Sequence, residues 1–180
     1  MSDRNFAPFP ILTTGRLRLR QLEPDDAPEI FLLRSDPEIN TYLGRQAATT
    51  IRDAANFINA VNANIAKNDS VYWAITVDNE IAGTICMFSF SNDNTKCEIG
   101  YELLTKFQGK GIMKEAAEKV ITYAFNTLHV HQIEAVLHMD NRASIKLLKQ
   151  LSFILSNESI DTEPDLVSYY LTNTSLNVET

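Results

Sequence analysis

The pattern of apolar and polar positions predicts strands and helices that alternate along one domain. Leu17 and Leu19 alternate with arginines between residues 16 and 22, which is typical of a half-buried strand. Apolar residues recur at helical spacing over residues 50–67 and 112–128, which predicts two long amphipathic helices. The predicted strands cover residues 16–22, 71–77, 81–90, 96–104, 133–139, a short stretch near Phe153, and 167–171. The predicted helices cover residues 24–36, 50–67, 112–128 and 140–151.

Capping and turn residues support these boundaries. Pro24 suits the first turn of a helix, and Pro37 is expected to end that helix. Thr50 is placed to cap the next helix, with Asp53 three positions further on. Asp78-Asn79 is a hairpin turn signal between two strands. The order β-α-α-β-β-β-α-β-α-β-β indicates an α+β fold around one central mixed sheet.

Composition and charge narrow the class of protein. The chain has 180 residues, 44% hydrophobic and 22% charged, which suits one globular domain with a sizeable core. Its net charge of -7 disfavours nucleic acid and favours encounter with cationic partners. No apolar run spans a membrane and no signal peptide is visible, so we expect a cytoplasmic protein without a membrane partner. We expect residues 1–10 to form a loose arm, residues 11–173 the domain, and residues 174–180 a tail.

The cysteines and histidines do not form a metal-ligand pattern, so we expect no metal site. Cys86 and Cys97 lie on neighbouring predicted strands and are expected to be packed, free thiols of a reducing compartment. His129 and His131 flank a loop and are expected at the surface, whereas His138 lies on the fifth predicted strand.

The most informative segment is the passage from a strand through Gln108-Gly109-Lys110-Gly111 into a helix. Glycines allow a tight turn and close approach to a ligand. The start of the helix leaves N–H groups unpaired, and these groups, with the helix dipole, favour a phosphate. By themselves the residues indicate either a phosphate or pyrophosphate cradle or a simple turn. The spacing fits neither a P-loop nor a dinucleotide fingerprint.

Together with its neighbours, this segment resembles the acetyl-CoA motif of the RimJ/RimL-like branch of the GNAT superfamily of N-acetyltransferases. The motif residues are Glu98–Leu103 and Phe107–Ala116. The resemblance covers about residues 11–172 in the family's order, through Arg16–Arg20 with Asp25–Ala27, Ser35–Glu38, Tyr72–Ile75, Ile81–Ile85, and Asn141–Ser144 with Leu151–Phe153. It implies a central mixed, splayed seven-stranded β-sheet flanked by about four helices. It also implies direct transfer of an acetyl group to a primary amine in a ternary complex.

The resemblance further implies how the co-substrate acetyl-CoA lies. Strand 96–104 splays from strand 133–139, and pantetheine enters the gap to pair with the backbone near Tyr101 and Leu103. The pyrophosphate rests on N–H groups of Gln108, Gly109, Lys110, Gly111, Ile112 and Met113. Asn141 hydrogen-bonds the pantetheine arm, and it is also a good helix N-cap.

Three positions depart from the family pattern. Lys106 stands where the family has glutamine or arginine, and it keeps a polar, charged group there. Ser152 replaces a glycine. Leu148 replaces the tyrosine that in many GNAT enzymes protonates the leaving thiolate. Ser144 is then the candidate proton donor, and its alternative role is to cap the helix.

Glu98 is the candidate general base, acting directly or through water. By strand alternation it shares a face with Gly100 and Glu102 beside the splay. The alternative interpretation is a surface carboxylate paired with a cation. Glu102 and His138 are weaker candidates on the same side of the sheet.

The acceptor is a primary amine whose identity the sequence does not specify. The first two helices and segment 40–50, which holds Tyr42, Arg45 and Gln46, are expected to select it. The resemblance points to the α-amine of a basic protein N-terminus. A polyamine or antibiotic acetyltransferase and a non-catalytic acyl-CoA-binding domain are the alternatives, and a homodimer is left open.

Overall fold

The computed structural model describes residues 4–157 and 163–173, which build one eight-stranded sheet in the order β1-β2-β3-β4-β5-β6-β8-β7. The strands are β1 (Leu12–Thr13), β2 (Leu17–Arg20), β3 (Val71–Val77), β4 (Glu80–Phe88), β5 (Lys96–Leu103), β6 (Gln132–His138), β7 (Ile154–Leu155) and β8 (Leu166–Thr172). The helices are α1 (Ala27–Ser35), α2 (Pro37–Asn40), α3 (Ile51–Ala66), α4 (Ile112–Asn126) and α5 (Arg142–Gln150), and short 3-10 turns cover Pro24–Asp26 and Thr105–Phe107. No helix within the described ranges is both long and apolar enough to cross a membrane.

The seven predicted strands and four predicted helices are confirmed, with ends shifted by up to three residues. Asp78 and Asn79 both have positive φ, 50° and 67°, as the short hairpin between β3 and β4 requires. Thr50 caps α3 through its hydroxyl, which accepts a hydrogen bond from the N–H of Asp53. The structure adds β1, two residues paired with β2, and the single turn of α2.

Helix α2 begins at Pro37, which was predicted only to end the preceding helix. Helix α1 ends at Ser35, before Pro37, as expected. Pro37 is also the first residue of α2, because Asp36 precedes it as an N-cap. The Asp36 carboxylate accepts hydrogen bonds from the N–H groups of Glu38 at 2.8 Å and Ile39 at 3.3 Å.

Strands β5 and β6 form a parallel pair that breaks off early. The pairing covers residues 96–98 and 132–134 and ends at Glu98 and Glu134. Strand β5 nevertheless continues to Leu103 and β6 to His138. Beyond the last pair, β5 keeps its partner only on the β4 side and β6 only on the β8 side, among the strands described. The predicted splayed mixed sheet is therefore confirmed.

Two apolar layers cover the two faces of the sheet. On β3, Trp73 belongs to the layer beneath α4, and its neighbour Ala74 belongs to the layer beneath α1 and α3. On β5 the same alternation turns Cys97 and Ile99 towards α4. Glu98, Gly100 and Glu102 then face the side of α1 and α3. We call this side of the sheet, next to the splay, where the family resemblance leads us to expect the acceptor amine, the acceptor face.

Residues 4–10 correct one expectation. They contain no helix or strand, but Phe6 is buried and its N–H donates to Asn68 Oδ1 at 2.8 Å. The Trp73 indole N–H donates to the carbonyl of Pro10 at 2.7 Å. The prediction of a loose arm is wrong for these residues, because a buried aromatic ring and two hydrogen bonds hold them on the domain. Residues 1–3 and the predicted tail, 174–180, lie outside the described residues, and the boundary of the domain stays a prediction.

We expect Gly83→Ala to destabilise the sheet where β4 meets β5. A Cβ atom at this position would overlap the carbonyl oxygen of Glu102 and lie 2.9 Å from Leu103 Cα. These backbone atoms belong to β5 and cannot yield locally, so the free energy of unfolding should fall by about 3 kcal/mol or more, measured by urea denaturation.

Gly100→Ala is the matched control on the neighbouring strand. Its Cβ would lie 3.3 Å from Cys86 Sγ and Phe88 Cε1, which are side-chain atoms that can shift. The loss in free energy of unfolding should be clearly smaller than for Gly83→Ala. Equal losses for the two variants would show that the close backbone contact at Gly83 does not exist.

Candidate active site

The turn between β5 and α4 presents an uninterrupted array of free N–H groups. Gly109 and Gly111 have φ of 73° and 74°, a left-handed conformation that disfavours any residue with a Cβ. Within the described chain, no N–H group of residues 109–113 donates a hydrogen bond. The array includes the first N–H groups of α4, which have no partner within the helix. Five such donors at the positive end of a helix dipole favour a phosphate or pyrophosphate.

Side chains around the turn hold it in place. Ile112 and Met113 are buried in the core, so the first turn of α4 is anchored while its N–H groups stay at the loop. Lys110 is exposed, and its ammonium lies 5.7 Å from the centroid of the Phe107 ring. A mobile positive charge therefore stands beside the N–H array.

Gln108 makes two hydrogen bonds within the loop. Its N–H donates to the carbonyl of Thr105 at 3.1 Å, closing the 3-10 turn. Its side-chain amide donates to the carbonyl of Leu103 at 3.1 Å. The N–H of Gln108 is therefore already engaged in this arrangement, and its place in the cradle stays a prediction. The free donors begin at Gly109, and Gln108 ties the loop to the end of β5.

The splay exposes one backbone edge of β5. Residues 99–103, which include Tyr101 and Leu103, have no partner on the β6 side among the described strands. The side chain of Tyr101 points away from the acceptor face and packs against the layer beneath α4. Burial raises the pKa of Tyr101 to about 12, although the neighbouring Ser144 hydroxyl opposes that rise. The phenol is therefore neutral at physiological pH and is a hydrogen-bond donor.

Asn141 and Ser144 divide their roles at the start of α5. Asn141 Oδ1 accepts a hydrogen bond from the N–H of Ser144 at 3.1 Å, so Asn141 is the N-cap. Capping therefore does not occupy the Ser144 hydroxyl, which interacts with Tyr101. Leu148 is 1% exposed and packs in the core, where it supplies no proton. The hydroxyls of Ser144 on α5 and Tyr101 on β5 are therefore neighbours.

Glu98 occupies the fork where β5 and β6 separate. Its carboxylate makes no hydrogen bond or ion pair with any residue in the described ranges, and it is half-buried. The carboxylate of Glu134, directly opposite on β6, does have partners. It accepts a hydrogen bond from the Gln132 amide at 2.6 Å and lies 3.8 Å from Lys96 Nζ. The interpretation of Glu98 as a carboxylate paired with a cation thus finds no support in the described chain.

Glu102, two residues further along the same face, is already paired. It is 9% exposed, and its Oε2 lies 2.5 Å from Arg45 Nη2. The Thr84 hydroxyl approaches its other oxygen at 3.4 Å. Both oxygens of this carboxylate therefore already have partners, whereas those of Glu98 have none among the described residues. The arrangement therefore favours Glu98 over Glu102 as a base.

The segment after α2, which we define as residues 41–45, spans the splay on the acceptor face. Arg45 holds it to β5 through Glu102, and Arg45 Nε also donates to Asn40 Oδ1 at 2.7 Å. At the other end, the Tyr42 and His138 rings are 5.4 Å apart between centroids. His138 Nδ1 accepts a hydrogen bond from the N–H of Asp140 at 3.2 Å. The segment therefore touches both arms of the fork, β5 and β6. Gln46, just beyond it, is exposed.

The histidines and cysteines lie where the sequence predicted them. His129 and His131 are exposed. No group of three or more potential metal ligands comes together in the part of the chain that the structure describes. Cys97 is buried and Cys86 is half-buried, and both are free thiols.

We expect both thiols to be unreactive in the folded protein. Burial raises the pKa of Cys86 and of Cys97 to about 12, so only about one thiol in ten thousand is a thiolate at pH 8. Iodoacetamide at pH 8 should leave the native protein unmodified and label both cysteines in urea, as intact-mass spectrometry would show. Rapid labelling of native Cys86 would contradict the packing of this face.

Comparisons with known proteins agree on the family. A model of the acetyltransferase (GNAT) domain matches residues 16–154. The Bacillus subtilis (strain 168) protein named uncharacterized N-acetyltransferase YoaA is 34% identical over 147 residues, which are 81% of this chain and 83% of that protein.

Two solved structures show the same fold. RimL, a ribosomal L7/L12 alpha-N-protein acetyltransferase in complex with coenzyme A, matches with a TM-score of 0.81 and 21% identity over 91% of this chain and 98% of its own. The microcin C7 self immunity acetyltransferase MccE, in complex with acetyl-CoA and AMP, matches with a TM-score of 0.76 and 23% identity over 89% and 94%. At these identities the two structures establish the fold alone. Because the family model covers most of the chain and YoaA exceeds 30% identity, this protein belongs to the GNAT family and is an N-acetyltransferase.

Proposed function

We propose that this enzyme transfers the acetyl group of acetyl-CoA directly to the N-terminal α-amine of a protein. The observation that carries the proposal is the Glu98 carboxylate at the fork of β5 and β6, at one end of an opening whose other end holds the N–H groups of residues 109–113. Neither the carboxylate nor these five donors has a partner in the described part of the chain. One end suits an amine that must lose a proton, and the other suits a pyrophosphate.

Acetyl-CoA would lie along this opening. Its pyrophosphate would accept hydrogen bonds from the N–H groups of residues 109–113, with Lys110 close by. Its pantetheine arm would pair with the free edge of β5 over residues 99–103, and the Asn141 amide would contact the arm from α5. These residues fit the group, because they provide donors for phosphate oxygens and an unpaired strand edge for amides.

The reaction then needs two proton transfers. Glu98, directly or through a water molecule, accepts the proton of the amine as its nitrogen attacks the thioester carbonyl. The C–S bond breaks when the tetrahedral adduct collapses, and the CoA sulfur leaves as a thiolate. Ser144, with Tyr101 beside it, is the donor that protonates or hydrogen-bonds this thiolate. No covalent acyl-enzyme is required, and the two cysteines stay outside the reaction.

Three properties favour an α-amine as acceptor. Its pKa of about 7.7–8.0 leaves a substantial neutral fraction at pH 7, whereas a lysine amine near 10.4 is almost entirely protonated. The net charge of -7 favours approach of a basic peptide. Segment 41–45 narrows the acceptor face from β5 to β6, which suits an amine at the end of an extended chain. The RimL structure shares the fold with an enzyme of this kind, although MccE shares it as well.

A thiol-release assay with acetyl-CoA tests the proposal. The acceptors are a basic peptide with a free N-terminus, the same peptide with a blocked N-terminus and one lysine, spermidine, and an aminoglycoside. We expect release with the free N-terminus alone. Release with spermidine or the aminoglycoside would make this a small-amine acetyltransferase. Binding of CoA in calorimetry, without release on any acceptor, would indicate a non-catalytic domain.

We expect Glu98→Gln to lower kcat by about a hundred- to ten-thousand-fold while the affinity for acetyl-CoA stays nearly unchanged, because general-base help is typically worth that much. The loss should shrink as the pH rises and more of the amine becomes neutral. Steady-state kinetics between pH 7 and 9 would measure both effects.

Glu134→Gln is the matched control for Glu98→Gln. It removes the same charge from the opposite strand at the same register position, from a carboxylate that already has partners. Its effect on kcat should be less than about tenfold by the same argument. A loss for Glu98→Gln that is equal at every pH would indicate that Glu98 positions the substrate and is not a base.

We expect Gly109→Val to weaken CoA binding about tenfold or more in isothermal titration calorimetry. Nothing lies within 4 Å of the added Cβ, so the effect comes from φ of 73°, which valine adopts only at a cost of roughly 1–2 kcal/mol. The loop then populates its binding geometry less often. Gly15→Val is the control, since its Cβ also meets nothing within 4 Å and its φ is not positive. Equal affinities for the two variants would argue against the cradle.

A further inference from the structure

Arg16 is far from the loop of residues 109–113 in sequence, but its side chain is hydrogen-bonded to the backbone of that loop. It lies in the turn that leads into β2, where Thr14 N–H donates to the Leu17 carbonyl at 3.0 Å. Its Nη2 donates to the carbonyl of Lys110 at 2.8 Å, and its Nε donates to Glu115 Oε2 at 2.6 Å. One guanidinium therefore joins the middle of the loop to the first turn of α4.

The contact with Lys110 fixes the direction of a neighbouring donor. In a trans peptide, the carbonyl of one residue and the N–H of the next point in opposite directions. Because Arg16 holds the Lys110 carbonyl, the N–H of Gly111 points away from Arg16. A Cβ on Gly111 would lie 3.4 Å from Arg16 Nη2, so the guanidinium packs closely against the glycine. The peptide between these two loop residues cannot flip without losing the hydrogen bond to Arg16.

The contact with Glu115 controls a charge close to the cradle. Glu115 lies in the first turn of α4, and its N–H donates to the Gly111 carbonyl at 3.1 Å. The hydroxyl of Thr14 donates to the Glu115 oxygen that Arg16 does not bind. Although burial opposes the change, hydrogen bonds from Thr14 and Arg16 hold the pKa of Glu115 below its usual range. The carboxylate is thus ionised at neutral pH, and Arg16 balances a negative charge that would otherwise repel a phosphate.

We propose that Arg16 is a positioning residue for the pyrophosphate loop, which orders the loop before acetyl-CoA arrives and neutralises Glu115. This role rests on the proposed binding of acetyl-CoA at residues 109–113. An ordered loop binds more tightly because the ligand does not have to meet the entropic cost of ordering it. Arg16 acts through the Lys110 peptide and Glu115 and makes no contact with the reacting atoms.

The test compares Arg16→Met with Arg18→Met. Arg18 is exposed, carries the same charge two residues further along, and its side chain makes no hydrogen bond or ion pair within the described residues. We expect Arg16→Met to raise the Kd for CoA in calorimetry by tenfold or more, and Arg18→Met by less than twofold. With acetyl-CoA the KM should rise and kcat should stay nearly constant. With S-acetylpantetheine, which lacks the pyrophosphate, neither variant should differ from the unaltered enzyme.

Two further variants separate positioning from direct contact with the phosphate. Arg16→Lys keeps the charge but loses the planar guanidinium that donates to two acceptors. Its affinity for CoA should therefore stay reduced. Glu115→Gln keeps the bond to Lys110 and weakens the other arm, but it also removes the charge that Arg16 neutralises. We expect the loss of order to outweigh the loss of repulsion, so its Kd should lie between those of the unaltered enzyme and Arg16→Met. It also keeps the proposal testable if Arg16→Met does not fold.

Three results would overturn the role of Arg16. An equal increase in Kd for Arg16→Met and Arg18→Met would show that the effect comes from the net charge of the protein and not from the position of Arg16. Full recovery with Arg16→Lys would make the residue a direct phosphate ligand. A Kd for Glu115→Gln equal to that of the unaltered enzyme, with Arg16→Met unfolded, would leave the ion pair without a role at the loop. Failure of the unaltered protein to bind CoA would instead overturn the proposed function itself, and the role of Arg16 with it.

Discussion

The end of the β5–β6 ladder after Glu98 and Glu134 is the constraint on which the site depends. Two parallel strands that stay paired leave no room between them and no free backbone groups along the shared edge. Because these strands separate, the edge of β5 becomes available for hydrogen bonds. At the fork lies the Glu98 carboxylate, which has no partner among the described residues. The same divergence creates the opening that segment 41–45 spans on one face and α5 borders on the other.

The loop and the acceptor face are stabilised by different physical means. At the loop, glycine conformation and a helix start provide backbone donors, while buried Ile112 and Met113 anchor them. On the acceptor face, a nearly buried ion pair between Arg45 and Glu102 attaches a segment with little apolar contact to the sheet. Glu98 and the unpaired edge of β5 lie between these two regions, and each region has its own contacts with the core or the sheet.

Local sequence patterns were sufficient to predict most of the fold, but they did not predict contacts between residues that are far apart in the sequence. The Asp78-Asn79 turn, the Thr50 cap and the alternation on β5 each depend on residues within four positions, and the sequence predicted all three. The helix after Asp36-Pro37 was missed because the same two residues stop one helix and start another. The contacts Arg16–Glu115, Arg45–Glu102 and Tyr42–His138 join residues that are 99, 57 and 96 positions apart, and no local sequence pattern predicts them. The glycines and the helix start indicated the loop, the family resemblance favoured a cradle over a simple turn, and strand alternation placed Glu98 beside the splay. The engagement of Gln108 and the proximity of Tyr101 to Ser144 required the three-dimensional arrangement.

The attachment of segment 41–45 bears on how such enzymes diversify. Its hydrogen-bonded and ring contacts with the sheet lie at Glu102 and His138, while residues 43, 44, 46 and 47 between and beyond them are exposed. Exchanges at exposed positions usually change stability little. Mutation can therefore change these four residues while the sheet and the loop between β5 and α4 stay intact, so the surface beside the splay can vary among descendants of one fold.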